Sequence, residues 1–490
     1  MPMSLPQFVA TIQPWQYFLF MLAVFPANAI LLRPMAMGRY DPLYAMNYLV
    51  SSFCLVNACY VYLIDNNMAA AQFWYILTAH AAFLSGAYVV RTVAGRRLAE
   101  SRQEFVPPIA RDTQFALNFL RIAAVVMFVG VLLRIVTVGL PILSANPDLS
   151  KVLINRDGFG FMSRILDPLA YCSLALACYL RRIGGMPLRK ILLFFVMPLV
   201  ALISSGSKSA LLTVPIALYY ASWYISSVRR ERIQIVSFKA VVISLVVVMA
   251  FAVALLGVAA VGADAEDVGE YVTNVLIERF VAFGDGVFYY YTTNLPNLIN
   301  RPASTFLNDY VVVPLLAPLR LVPYQMSLGV EMVDTLYRLE FLGPGPTMYV
   351  EGDVYFGNPG GILYCLCLGC LFSLLKFGTL RAGGRCTVPG LLLFCCCNVT
   401  ALHIGQDLIL VSGHVFNFGA TVPLMLCLSA SMLPAAVYGA RARAGGLAAH
   451  RAPRTTGARG DESAVSQPQP VDRRRGGLGR PDAAGWRRRG

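Results

Sequence analysis

From Tyr17 onward the chain alternates between long apolar runs and short polar breaks. In order, the runs cover residues 16–33, 43–64, 70–90, 116–138, 162–180, 190–205, 209–226, 239–261, 355–375, 387–404 and 413–439. A helix of about 20 apolar residues crosses a hydrocarbon core ~30 Å thick, and in lipid each backbone group has to be satisfied within its own segment. The pattern therefore predicts an all-α polytopic membrane protein with about 11 transmembrane helices. One interval breaks the rhythm. Residues 262–354 form a long connection that is not hydrophilic: 267–298 reads as one or two amphipathic helices, and 311–323 is apolar but interrupted by Pro314, Pro318 and Pro323. The second stretch suits a segment lying on, or dipping into, the membrane interface.

Composition agrees with this reading and charge orients it. Of the 490 residues 57% are hydrophobic and 13% charged, too few charges to cover a soluble protein of this length. The loops alternate in sign. Alternate breaks and the tail carry 31 of the 40 basic residues and 9 of the 26 acids, a net of +22; the opposite face carries 9 basic residues and 17 acids, a net of −8. The positive-inside rule assigns the first face to the cytoplasm. This predicts an amino terminus outside, a loop 262–354 outside and a carboxyl terminus inside. Residues before Trp15 lack Lys and Arg, so no cleavable signal is expected. The domain reading is residues 1–440 as a transmembrane domain and 441–490 as a disordered basic cytoplasmic tail, rich in Arg, Gly, Ala and Pro. The tail can attract anionic headgroups; no folded module supports a nucleic-acid partner. The 12 cysteines lie almost entirely inside apolar runs and read as small buried hydrophobes, with no metal or cofactor expected.

The apolar spans are nearly empty of charge at mid-depth, His80 being the main exception, and a lone histidine there reads as a packed, hydrogen-bonded residue. Ionisable groups gather outside instead: Arg134, Arg164 and Asp167 at the outer ends of the fourth and fifth runs, and the residues of the long loop. A short hairpin, Ser204 to Ser209, joins the sixth and seventh runs at the outer headgroup level. Its serines can cap the seventh helix, whose free N–H groups favour an anion, and Lys208 adds a full positive charge there. A snorkelling lysine that caps a turn fits the same residues. Arg279 lies between Glu278 and Asp285 on the loop's amphipathic stretch, beside Tyr289, Tyr290 and Tyr291, and Arg301, Arg320 and Arg338 are spaced along the rest. Arginine matches phosphate oxygens in a bidentate fork; contact with lipid phosphates is the plainer alternative. The loop closes on Gly343-Pro344-Gly345-Pro346, after which Glu351 and Asp353 enter a membrane helix at its outer end. Either carboxylate fits a helix-start cap or a general base toward a hydroxyl. His403, Asp407 and His414 are weaker candidates for the same task.

At these residues the chain resembles the Wzy-type O-antigen and exopolysaccharide repeat-unit polymerases. The likeness rests on Ser-Gly-Ser-Lys-Ser-Ala-Leu-Leu from Ser205, Gly-Leu-Pro-Ile-Leu from Gly139, the Gly-Pro…Glu…Tyr-Phe-Gly-Asn…Gly segment from Gly343, and a long outer loop late in a polytopic chain. It covers roughly residues 120–440; the family often carries Arg where Lys208 stands. The resemblance implies a glycosyltransferase C-like enzyme of the bacterial inner membrane. Such an enzyme transfers a growing glycan from undecaprenyl diphosphate to the terminal sugar of a new lipid-linked repeat unit, with a chain-length regulator as a partner. Joined to the positions read above, this reaction leads to expected roles: Glu351 or Asp353 as the base, with Arg279 catalytic beside them, and Lys208, Arg156, Arg320 and Arg338 on the substrate diphosphate. Two other functions suit the same chain, an O-antigen ligase and a flippase or transporter of lipid-linked oligosaccharides.

Overall fold

A computed structural model describes residues 12–38, 40–100, 110–139, 160–204, 212–229, 281–319, 321–323, 326–338, 343–379 and 387–433, with three isolated positions between 269 and 278. Every regular element among them is helical. Six helices are long and apolar enough to cross a membrane: Trp15–Met35, Asn47–Asp65, Ala70–Val93, Asp112–Thr137, Thr347–Gly378 and Leu408–Ser431. They coincide with the first four, the ninth and the last of the apolar runs. The eighth run, 239–261, and the tail lie outside the described residues.

The elements needed below are α1 (Pro14–Leu32), α2 (Asn47–Tyr60), α3 (Ala70–Glu100), α4 (Ala110–Val138), α5 (Gly160–Arg182), α6 (Leu188–Ser204) and α7 (Thr213–Arg229). After them come α8 (Asp285–Tyr291), α9 (Ala303–Leu316), α10 (Leu328–Tyr337), α11 (Thr347–Gly378), α12 (Val388–Ala401) and α13 (Leu408–Ser431). Three of the remaining predicted spans have fewer than the ~20 residues of a full crossing among the described residues. α6 and α7 each have 17 residues and α12 has 14. At 1.5 Å per residue, the 14 of α12 reach only ~21 Å. α5 has the length, with 23 residues, but it carries Arg164, Asp167, Arg181 and Arg182 and packs against α4, α6, α7, α12 and α13. Each of its residues from Leu169 to Leu180 is buried. A helix enclosed by protein on all sides needs small and mixed side chains, not a lipid-facing surface.

Two cores result. One joins α1, α2, α3, α8, α11 and the start of α13; the other joins α4 to α7 with α12 and the rest of α13. Phe377 packs against both, and α13 contributes Leu408 and Val411 to the first and Phe418 and Met425 to the second. The most extensive helix pair is α3 with α11. Gly361, Cys365, Gly369 and Ser373 recur every four residues on α11, the spacing that aligns small residues on one face. The two backbones approach so closely that a Cβ on Gly369 would strike the Phe83 carbonyl, and one on Gly86 the Leu366 carbonyl. Ser373 closes the seam by donating its hydroxyl to Ala87 O at 2.6 Å.

At the other end of α11, Lys376 forms a buried ion pair with Asp41, Nζ to Oδ2 2.7 Å. Both belong to the face that the charge pattern assigns to the cytoplasm. Asp41 also accepts from the backbone N–H groups of Met37 (2.5 Å) and Leu43 (3.0 Å) and from the Tyr220 hydroxyl (3.0 Å). Four donors on one carboxylate satisfy it away from water, as a buried charge requires.

Candidate functional site

The outer end of α11 is built from the Gly-Pro-Gly-Pro turn upward. Thr347 starts the helix with a left-handed φ of 61°. Its N–H donates to Gln406 O (3.0 Å), and that of Met348 donates to Gly405 O (3.4 Å). The first turn of α11 is thereby tied to the loop that leads into α13. One turn on, Glu351 is fully buried. Its Oε1 accepts from Leu408 N at 3.0 Å and its Oε2 from the Tyr364 hydroxyl at 2.8 Å. Asp407 is the N-cap of α13, accepting from Ile409 N at 2.7 Å. Two carboxylates thus meet the free N–H groups at the start of α13, which is where the helix dipole favours negative charge. Burial pushes the Asp407 carboxyl up to about 6.

α11 then breaks. Gly357 has φ 65° and ψ 177°, a backbone region open in practice to glycine alone, and Asn358-Pro359 restart the helix. The break opens a cavity of about 570 Å³, within the range of small-molecule sites. Asp353, Tyr355, Phe356, Gly357 and Gly360 of α11 form one side, and Tyr290 with the segment from Pro296 to Ala303 forms the other. The Tyr291 hydroxyl lies within interaction range of Asp353.

Arg301, on the cavity wall, is the hub of its surroundings. Nη1 donates to Asp309 Oδ2 (3.0 Å) and to the Tyr355 hydroxyl (2.9 Å); Nη2 donates to Met326 O (3.3 Å) and to Glu331. Tyr355 in turn donates to Asp309 Oδ2 at 2.6 Å. Asp309 sits in a π-helical turn of α9, Asn308–Val312, a widening of the helix that often accompanies a functional site. α9 also inserts Phe306 among Tyr310, Tyr355, Phe356 and Tyr364, with ring centroids 4.9–5.7 Å away. This aromatic cluster fixes α9 over the break.

Of the residues singled out in the sequence, Asp353 faces the cavity and Glu351 does not; its oxygens are occupied in capping α13 and holding Tyr364. Arg338 is exposed at the left-handed end of α10 and does not line the cavity. Lys208, Arg156, Arg279 and Arg320 lie outside the described residues. Tyr289, Tyr290 and Tyr291 are all buried in α8, as is Asp285 at its start, whose carboxyl burial pushes well above the usual range. His80 has both ring nitrogens engaged, by the Tyr349 hydroxyl (2.8 Å) and Asn28 Oδ1 (3.2 Å), and Asn28 donates onward to Ser51 and Ser52. It is the packed histidine that its position suggests. His403 and His414 lie with ring centroids 4.6 Å apart, beside Asp407 in sequence but away from the cavity. Sequence reasoning gave Arg301 only as one of three loop arginines able to meet phosphate, whereas in the structure its donors go to protein groups. Its partners are 8, 25, 30 and 54 positions away, so no local spacing marks it.

Comparison with known proteins returns no matching family model, no matching curated protein and no matching solved structure.

Proposed function

We propose that the chain is a bacterial inner-membrane glycosyltransferase that polymerises lipid-diphosphate-linked oligosaccharide repeat units at the outer face. In this reading about 11 helices cross the membrane, residues 262–354 and the amino terminus are outside, and the carboxyl terminus is inside. The observation that carries it is the cavity in the break of α11. A carboxylate, an aromatic wall and hydrogen-bonding side chains converge there, in a setting suited to a sugar. The sequence resemblance points to the same segment.

Asp353 is the base. As the acceptor hydroxyl oxygen attacks the anomeric carbon of the donor glycan, a C–O bond forms and the C–O bond to the lipid diphosphate breaks. The hydroxyl proton passes to Asp353, and the diphosphate leaves with the bonding electron pair. Lys208 and Arg279 hold that diphosphate, with Arg156, Arg320 and Arg338 as secondary cations; fixed positive charge stabilises what develops on the leaving group. Arg301 has a different task. It is neutralised in place and positions Tyr355 and α9. Glu351 acts through structure, by joining the starts of α11 and α13.

The test is polymer length in membranes from a deletion strain supplied with each variant at matched abundance. Asp353→Asn is expected to lower polymer formation by ~10²-fold or more, the scale of a lost general base. A deletion strain that still makes full-length polymer would overturn the function. Normal polymer from Asp353→Asn would overturn the site alone.

A further inference from the structure

The polar side chains that line the cavity in the break of α11 are Tyr290, Asn300, Arg301, Asp353 and Tyr355. Arg301 and Tyr355 are already committed. Both terminal nitrogens of Arg301 donate to protein groups, and the Tyr355 hydroxyl accepts from Arg301 and donates to Asp309. Asp353 keeps the Tyr291 hydroxyl within range. Among the described residues, the Asn300 amide and the Tyr290 hydroxyl make no hydrogen bond within the protein. These are groups that read sugar hydroxyls. An amide accepts through its carbonyl and donates through its NH2, and a phenol does both through one oxygen.

The two residues are also held in place from behind. Tyr290 is buried in α8 with its ring edge-on to Tyr291 at 4.9 Å, and its hydroxyl lies in electrostatic range of Asp353. Asn300 is exposed, but it stands between the buried Ile299 and the anchored Arg301, so the chain is fixed on both sides of it. Asp353, Tyr290 and Asn300 therefore meet one space from three segments, enough to fix both the position and the orientation of a ring.

We propose that Tyr290 and Asn300 recognise the acceptor sugar, and that Asn300 selects among its epimers. This rests on the reading of the cavity as the acceptor site. Asp353 faces the attacking hydroxyl, Tyr290 donates to a sugar oxygen, and the Asn300 amide pairs with two adjacent hydroxyls, donating to one and accepting from the other. Epimers differ in the direction of one hydroxyl, so an amide matched to one adjacent pair is mismatched to the next. Because Asn300 is exposed, water replaces part of what a mismatch loses. The preference is graded, about fivefold for one net hydrogen bond, and not absolute.

The experiment uses the full chain in nanodiscs of zwitterionic lipid, with saturation-transfer NMR titrations reading sugar binding. The probes are the methyl pyranosides of glucose, galactose, mannose, N-acetylglucosamine and N-acetylgalactosamine, a set in which each member has an epimer. At least one is expected to bind, and to bind better than its epimer. Asn300→Ala should weaken the best-bound glycoside about fivefold and remove most of its advantage over the epimer. Tyr290→Phe, which keeps the ring, should weaken the best-bound glycoside by a similar factor. Asn297→Ala is the control, an exposed residue bonded to Asn294 that does not line the cavity, and it should change nothing. Unchanged affinity in Asn300→Ala or in Tyr290→Phe overturns the assignment and leaves the sugar site intact, as does an equal loss in Asn297→Ala. Failure of every glycoside to bind overturns the sugar site, and the assignment with it.

Discussion

Glu351 and Asp353 lie two positions apart on one helix, and residues at that spacing point in different directions. Sequence marks both as carboxylates entering a membrane helix; only the rotation of α11 separates the one enclosed under α13 from the one in the cavity. Asp41 and Lys376 show the opposite limit. They are 335 positions apart, and no local pattern joins them, although the charge alternation assigns both to the same face. Removing one partner of a buried pair leaves the other charged and unmatched, at a cost of about 3–5 kcal/mol. Lys376→Met is therefore expected to lower the melting temperature and membrane abundance of the protein sharply. Adding Asp41→Asn, which removes the charge and keeps one acceptor oxygen for Leu43 and Tyr220 while losing the one that serves Met37, should restore part of the loss. Thermal unfolding of the two variants in detergent checks this. A single variant as stable as the parent would show that the pair contributes nothing.

At the scale of elements, the apolar runs located α1 to α4 and α13 well, and part of α11, because lipid-facing helices have to be long and uniformly apolar. They located α11 incompletely. The run begins at residue 355, whereas the helix begins at Thr347, because backbone bonds to Gln406 and Gly405 and the cap on α13 hold two further turns, carrying Glu351 and Asp353, that an apolar run does not include. α9 overlaps the stretch that the sequence reading places at the membrane interface, and it carries an exposed apolar stripe. Leu307, Val311 and Leu315, spaced by four, are 67%, 42% and 43% exposed, while Asp309, Tyr310 and Pro314 are buried. Such a face favours hydrocarbon over water by burial of apolar area. In a tryptophan-free background reconstituted with brominated lipid, a tryptophan replacing Leu315 should be strongly quenched, and one replacing the exposed Ser304 should not. Equal quenching at the two positions would contradict an α9 lying in the membrane surface.

For the whole molecule, hydropathy and charge together make an all-helical membrane protein legible, but not the division into two cores. That division depends on which helices face protein. α5 shows why: it is apolar enough to be noticed, yet its surroundings are five other helices, and a one-dimensional pattern does not distinguish enclosure by protein from enclosure by lipid. The orientation is a separate matter and can be read directly. Single cysteines at Ala265 and Ala483, in a cysteine-depleted chain in intact cells, should react with a membrane-impermeant thiol reagent only at Ala265. Reaction at Ala483 would invert the assignment drawn from the 31 basic residues on one face.

The break at Gly357 separates two parts of α11 that are each held firmly. The outer part is tied to the approach to α13 through Thr347, Met348 and Glu351, and the inner part is locked to α3 along a seam of small residues. The two parts also hold each other across the bend: the Tyr364 hydroxyl of the inner part donates to Glu351 of the outer part at 2.8 Å, and a Cβ on Gly361 would strike the backbone of Gly352. The glycine therefore sits at the apex of a clasped bend, so the space beside Phe356 and Gly360 is framed by two arms whose separation is set by their own contacts.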